Sequence, residues 1–229
     1  TFAENFGSGF GDVGNPDLRP ERSLSWEIGV DQPYWGGRGG ISASLFDQRF
    51  RRMIQFSFAS ANPGVDPNYA NVAGARASGV ELETRLTPHP RLTATALYTY
   101  LHTVAKDSTF EVLGFAKGER LLRRPTHAAH VGVTYRVPAR GALTLGVLYT
   151  GDREDIDFAA FPYARVTIRA YTRVDCSGDV QLRRAAGSRP GFAVTVRVEN
   201  LFDRAYQEVL GFRARGRTVL IGGRLDLGL

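Results

Sequence analysis

Apolar and polar residues alternate with a period of two through most of this chain, the mark of β-strands with two different faces. The last 39 residues show it most clearly: Phe192, Val194, Val196 and Val198 alternate with Ala193, Thr195, Arg197 and Glu199, and Val219, Ile221, Leu225 and Leu227 alternate with Leu220, Gly222, Arg224 and Asp226. Leu24–Val30, Val80–Leu86, Leu92–Tyr100, His127–Tyr135, Leu143–Tyr149 and Val174–Leu182 repeat the arrangement. A further strand lies near Ile41 to Phe58, where Arg49, Arg51, Arg52 and Gln55 break the alternation, so its far end is expected to bulge or leave the sheet. Residues 1 to 22 carry Gly, Asn and Pro at close spacing and read as a loop.

The pattern predicts nine strands, and their connections alternate between short and long. Pro33–Gly40, Pro88–Pro90, Pro138–Gly141 and Arg184–Pro190 are short; 59–77, 103–125, 151–164 and 200–217 are long. An antiparallel meander with tight turns at one end and extended loops at the other is the layout of a transmembrane barrel. The polar faces carry charge at mid-strand. Unpaired and buried, each charge costs several kcal/mol, so that face must meet water or paired partners, and a hydrated barrel interior supplies both while the aliphatic face meets lipid. Tyr98, Tyr100, Tyr135 and Tyr149, near the ends of apolar faces, fit interfacial girdles as well as cross-strand aromatic packing. Bacterial single-chain barrels have even strand numbers. The fold class is therefore all-β, an antiparallel meander of about nine strands forming the C-terminal portion of a larger transmembrane β-barrel.

Composition agrees with an all-β chain: 26 glycines, 14 Phe and 9 Tyr against one Met, one Cys and two Trp among 229 residues. With Cys176 alone, neither an internal disulfide nor a thiolate metal site is available. The formal charge of +6 rests on arginine, because Lys106 and Lys117 are the only lysines. The arginines are spread along the chain and interrupted by acids, which argues against a nucleic-acid partner. The chain starts with neither methionine nor a basic and apolar leader, and is expected to be a piece of a longer protein.

Four ordered motifs carry a resemblance to the TonB-dependent outer-membrane receptors. Asn15-Pro16-Asp17-Leu18-Arg19-Pro20-Glu21, leading into Ser25-Trp26-Glu27-Ile28-Gly29, resembles the "NPxLKPE" element of that family. Gly79-Val80-Glu81-Leu82-Glu83, preceded by Asn71, resembles its "N…GVE" strand; Arg123-Arg124-Pro125-Thr126-His127 resembles "RRPxH", and Asn200-Leu201-Phe202-Asp203-Arg204-Ala205-Tyr206 resembles "NLFDKxY". The resemblance implies a barrel of about 22 strands with a plugged lumen. It also implies uptake of a scarce, bulky nutrient, energised by the TonB complex acting through an N-terminal region; both plug and TonB box lie outside this sequence. Such barrels commonly end on an aromatic residue, and Leu229 departs from that pattern. Tyr206 to Phe212 with Gly216-Arg217 is most similar to cobalamin receptors, although siderophore receptors share much of the segment.

On this resemblance, ligand capture falls to the long loops. Phe110, Phe115 and Arg120 are candidates in one, Phe158, Phe161 and Tyr163 in another, and Tyr206, Phe212, Arg213 and Arg215 in the last. The alternative is that these aromatics pack the loops against one another. Loop arginines are also suited to phosphates of outer-leaflet lipopolysaccharide, which with membrane lipid, plug, TonB complex and a small-molecule ligand completes the implied partners. Glu81, Glu83, Arg85, Asp175, Arg197 and Glu199 are expected to face the lumen and the plug. Asn15, Asn200 and Asp203 read as turn-shaping residues, and Gly79 as a point of close approach or a bulge.

The competing classes are a passive channel, a barrel enzyme and a soluble β-sandwich. His89, His102, His127 and His130 stand in no nucleophile motif, no spacing suggests a tight metal site, and the glycines form no phosphate loop. Neither a catalytic residue nor a cofactor is expected.

Overall fold

The computed structural model describes residues 2–7, 13–56, 66–107, 116–159, 161–186 and 189–227. In chain order its strands are β1 (Arg22–Tyr34), β2 (Gly39–Phe56), β3 (Tyr69–His89), β4 (Leu92–Asp107), β5 (His127–Val137), β6 (Gly141–Thr150), β7 (Arg153–Asp157), β8 (Ala164–Ile168), β9 (Tyr171–Arg183), β10 (Gly191–Glu199), β11 (Gln207–Val209), β12 (Phe212–Arg213) and β13 (Thr218–Asp226). Nine of them form one sheet in the order β1-β2-β3-β4-β5-β6-β9-β10-β13. These are the nine strands of the hydrophobic pattern. The two small pairs, β7-β8 and β11-β12, are hairpins inside long connections, where a run of only two to five residues leaves too little periodicity to read.

Register turns the alternation into two continuous faces. Ile28, Leu45, Val80, Tyr100 and His127 stand opposite one another across five strands, and Ala96, Val131, Val147 and Val174 across the next. The other face aligns Asp31, Ser42, Glu83, Leu97 and His130, then Ser177 with Arg197. Glu81, Glu83 and Arg85 share this polar face, and so do Asp175 and Glu199 beyond Arg197.

Among the described residues most of both faces is left uncovered by protein. Among the described residues the buried apolar set is small, Ala75, Ala77, Ala105, Ile156, Ile168, Tyr171 and Ala193. The aliphatic face stays open, with Leu24 at 69%, Ile28 at 63% and Ile221 at 75% exposure. A sandwich would bury that face. An aliphatic surface this extensive needs an apolar solvent, because contiguous exposed patches beyond a few hundred Å² are aggregation liabilities in water. Strands satisfy their own backbone polar groups laterally, so they can cross hydrocarbon without a helix; no helix among the described residues is long and apolar enough to do so.

The ends of the sheet differ from the sequence expectation in one respect. β2 does not leave the sheet: Arg52 adopts a left-handed φ of 57°, and pairing resumes from Met53↔Val72 to Phe56↔Tyr69. As a result β3 begins at Tyr69, well inside the stretch expected to be loop, and β4 runs on to Asp107. The extension carries a small core of its own, Ala75 and Ala105 packed with Phe50, Met53 and Leu121, so pairing continues where Arg49, Arg51 and Arg52 break the alternation.

Gly79 is held by close packing. A Cβ there would lie 2.1 Å from the Tyr100 carbonyl oxygen and 2.7 Å from the Phe46 ring. The motif glycine therefore marks close approach on a regular stretch of the β3-β4 ladder, not a bulge.

Candidate functional site

The long connections gather at one end of the sheet, and three polar knots hold them. The first pins the amino-terminal segment. Asn15 Oδ1 accepts from the Asp17 N–H and its amide donates to the Tyr69 carbonyl. Asn71 Oδ1 accepts from Arg19 N at 2.7 Å while its amide donates to the carbonyls of Arg19 and Arg52, and Glu21 accepts from Ile54 N. The two motif asparagines thus serve each other's segments across more than 50 residues of sequence.

The second knot centres on Asp155, which is fully buried in the β7-β8 hairpin. Its Oδ1 accepts from Arg123 Nε at 3.0 Å and from Ile156 N at 2.9 Å; its Oδ2 accepts from Leu210 N at 2.9 Å. Burial alone pushes this carboxyl up, but the bonds from Leu210, Ile156 and Arg123 outweigh it and hold the group below the usual carboxylate range. Arg153, also buried, donates to the carbonyls of Gln207, Glu208 and Gly151 and lies over the Tyr171 ring at 5.6 Å. Three connections are tied through two residues that the sequence reading did not single out. Their only signal is the charged run Arg153-Glu154-Asp155-Ile156-Asp157, too short to separate from a solvated loop.

The third knot is the Asn200 turn. Asn200 is 2% exposed, with φ 53°; its Oδ1 accepts from Arg204 N and its amide donates to the carbonyls of Arg204 and Arg215. Asp203 accepts from Arg217 N at 2.8 Å. Both are the turn-capping residues anticipated from their type. Asp175 accepts from Asn200 N and pairs with Arg173 at 2.9 Å.

These knots decide where the loop candidates stand. Tyr206 stacks on Tyr171 with centroids 4.0 Å apart, and its hydroxyl accepts from Arg173. Arg120 donates to the carbonyls of Arg124 and Asp152 and sits 3.5 Å from the Asp152 carboxylate. Nearby, Arg165 bridges Glu119 at 2.8 Å and Glu154 at 3.5 Å. Phe158, Phe161 and Tyr163 come together at the β7-β8 tip, with ring centroids 5.3 and 5.6 Å apart and Phe161 at 86% exposure. Phe212 and Arg213 lie exposed on β12, with Arg215 exposed just beyond. Phe110, Phe115 and the terminal Leu229 lie outside the described residues. On the polar face of the sheet Arg197 pairs with Glu199 at 3.0 Å, and Glu81, Glu83 and Arg85 are exposed. No group of three His, Cys, Asp or Glu among the described residues is placed to hold a metal ion.

The fold is similar to several solved structures. The ferripyoverdine receptor of the outer membrane of Pseudomonas aeruginosa, bound to ferripyoverdine, aligns with a TM-score of 0.72 at 19% identity over 96% of this chain and 29% of its own. The ferric-catecholate import receptor Fiu of E. coli K12 aligns at 0.69, with 20% identity over 94% of this chain and 29% of its own, and the copper transporter OprC at 0.70, with 19% over 99% and 35%. The chain thus spans about a third or less of the length of these proteins. They are receptors and transporters, not enzymes. Residues 1–201 match the family described as TonB dependent receptor-like, beta-barrel, and with its nine-stranded two-faced sheet the chain belongs to that family.

Proposed function

We propose that the chain is the C-terminal part of the barrel of an outer-membrane active transporter that takes up a scarce, bulky nutrient of the ferric-siderophore class. The observation that carries this is the division of the sheet: one face open and aliphatic, one polar, and an end where polar knots fix loops that display aromatics and arginines. β1 and β13 each pair on one side only among the described residues, so the remaining strands of the barrel belong beside them. The aliphatic face meets lipid of the outer membrane. Glu81, Glu83, Arg85, Asp175, Arg197 and Glu199 face the lumen, where a hydrated charged surface lets a plug rearrange without stranding buried charge. The energy comes from the TonB complex through a region outside this sequence.

Ligand capture falls to Phe158, Phe161, Tyr163, Phe212, Arg213 and Arg215, which are exposed, while Arg120 and Tyr206 position the loops around them. Exposed guanidinium groups beside aromatic rings suit an anionic chelate with flat ring donors. The names of similar structures, pyoverdine and ferric-catecholate receptors, support that class. Cobalamin is the second reading, raised by the Tyr206 to Phe212 segment.

The test is equilibrium binding of ferric siderophores, cobalamin and haem to the intact protein, with uptake measured in cells that have and lack TonB. Saturable ferric-siderophore binding with TonB-dependent uptake is expected. Saturable binding of cobalamin alone overturns the ligand class; uptake that persists without TonB overturns active transport in favour of a passive channel.

A further inference from the structure

Above the apolar band on its outward face, the sheet carries a group of cations that ligand capture does not use. The rows across β1, β2, β3 and β4 change character in order. Ile28, Leu45, Val80 and Tyr100 form an apolar row; Trp26, Asp47, Ser78 and His102 come next; then Leu24, Arg49, Arg76 and Val104. Arg22 pairs with Arg51 in the row beyond. Side chains two residues apart on a strand share a face, so Arg49, Arg51 and Arg76 point the same way as Leu45 and Val80. Arg49 is four residues past Leu45, about 13 Å along the strand and about 10 Å in height at the usual barrel tilt. That is headgroup depth for lipid touching the apolar rows.

The group is built, not scattered. Asp47, 2% exposed, lies between Arg49 and Arg76 and accepts from the Nε of each, at 3.2 Å for Arg49. Pairing through Nε leaves the terminal nitrogens of both guanidinium groups for another acceptor. Their side chains remain 56% and 41% exposed. Arg51 and Lys106 are exposed, make no ion pair among the described residues, and border with Arg49 and Arg76 a cleft of about 530 Å³. Glu21, just before β1, has its Oε1 engaged by Ile54 N. Because the band climbs obliquely across tilted strands, Leu24 and Trp26 of β1 sit beside Arg49 and Asp47 and continue the apolar surface up to the cations.

Resting on the outer-membrane reading above, we infer that this cleft is a lipid site, in which Arg49, Arg51, Arg76 and Lys106 bind the phosphate groups of an outer-leaflet phosphoglycolipid while its acyl chains lie along Leu24, Trp26 and Ile28. Planar forks held by a buried carboxylate fit phosphate oxygens bidentately, and the adjoining apolar strip distinguishes a lipid from a soluble anion.

The test uses the intact protein in detergent, with lipopolysaccharide as probe and its retention read by native mass spectrometry and titration. The double variant Arg51→Ala with Lys106→Ala removes two cations without touching the Asp47 pairs. Its affinity for lipopolysaccharide falls about tenfold or more, dephosphorylated lipopolysaccharide binds weakly to the unaltered protein, and inorganic phosphate competes poorly. The control Arg91→Ala with Arg136→Ala, at the short-turn end, leaves binding unchanged. Unaltered affinity in the cleft variant, or an equal loss in the control, overturns the site; competition by inorganic phosphate at equal concentration makes it a soluble-anion site instead. Failure of the membrane reading shows separately, as protein that stays soluble without detergent.

Discussion

Replacing Asp155 with alanine tests whether one carboxylate holds the loop end together. Three donors converge on it, Arg123 Nε, Ile156 N and Leu210 N, all within 3.0 Å. The Arg123 side chain is 48% exposed, so water replaces its partner and its share is under about 1 kcal/mol. The two backbone N–H groups lie against buried structure, and each costs about 1–3 kcal/mol when left unpaired. The sum is about 4 kcal/mol of local opening, or roughly a thousandfold faster exchange of the affected amides. Hydrogen exchange of the intact protein should therefore lose protection in peptides covering 153–157 and 207–213 while those covering β5 and β6 keep theirs. Unchanged exchange within about threefold refutes the knot, and so does an equal loss across the whole sheet. Asp155→Asn, which keeps one acceptor oxygen, should fall between. The same carboxyl sets a pH dependence. Its folded value is depressed, so its contribution is fully present above the ordinary carboxylate value of about 3.9 and fades as pH falls through the lower folded value. Loop protection should survive at about pH 5 and weaken only below about pH 4.

Other substitutions probe the remaining layers. Asn200→Ala removes three hydrogen bonds to backbone groups; it should weaken the last long connection by about 2–4 kcal/mol and speed tryptic cleavage after Arg204 and Arg215. Gly79→Val drives side-chain atoms into the Tyr100 carbonyl and Phe46 ring, and should lower barrel stability by about 3 kcal/mol or more, read as a lower unfolding midpoint in detergent. Leu145→Arg on the aliphatic face should cost about 2–4 kcal/mol in lipid vesicles, whereas Thr144→Arg, one residue away on the polar face, should cost little; equal costs would contradict the assignment of faces.

Much of the fold was legible from the chain because a membrane barrel writes its environment into alternate residues. Val194 and Thr195, or Leu82 and Glu83, stand on opposite faces of the sheet, one aliphatic and one polar, and that difference needs no tertiary contact to be read. Hence the nine strands, the side on which each residue lies, and the short-turn and long-loop ends were all determined by sequence. The alternation fades at the long-loop end. There Arg49 to Phe56 and Tyr69 to Ala77 pair as strands, but Arg49, Arg51 and Arg52 interrupt the period, and Phe50, Met53 and Ala75 pack into a small cluster with Ala105 and Leu121 that only the paired strands create.

Residue type was enough to mark Asn200 and Asp203 as turn-capping and to narrow Gly79 to close approach or a bulge, between which the register and the Tyr100 carbonyl decided for close approach. It was not enough to bring Asp155 to Leu210, 55 positions away, nor to separate a half-buried Tyr206 stacked on Tyr171 from an exposed Phe161 in neighbouring loops. Those are long-range pairings with no period, decided only when the strands bring their ends to one rim. The cations of β2, β3 and β4 became a cluster in the same way: Arg49, Arg76 and Lys106 are far apart in sequence, and only the pairing of the strands sets Arg49 and Arg76 around Asp47 and brings Lys106 to the same cleft.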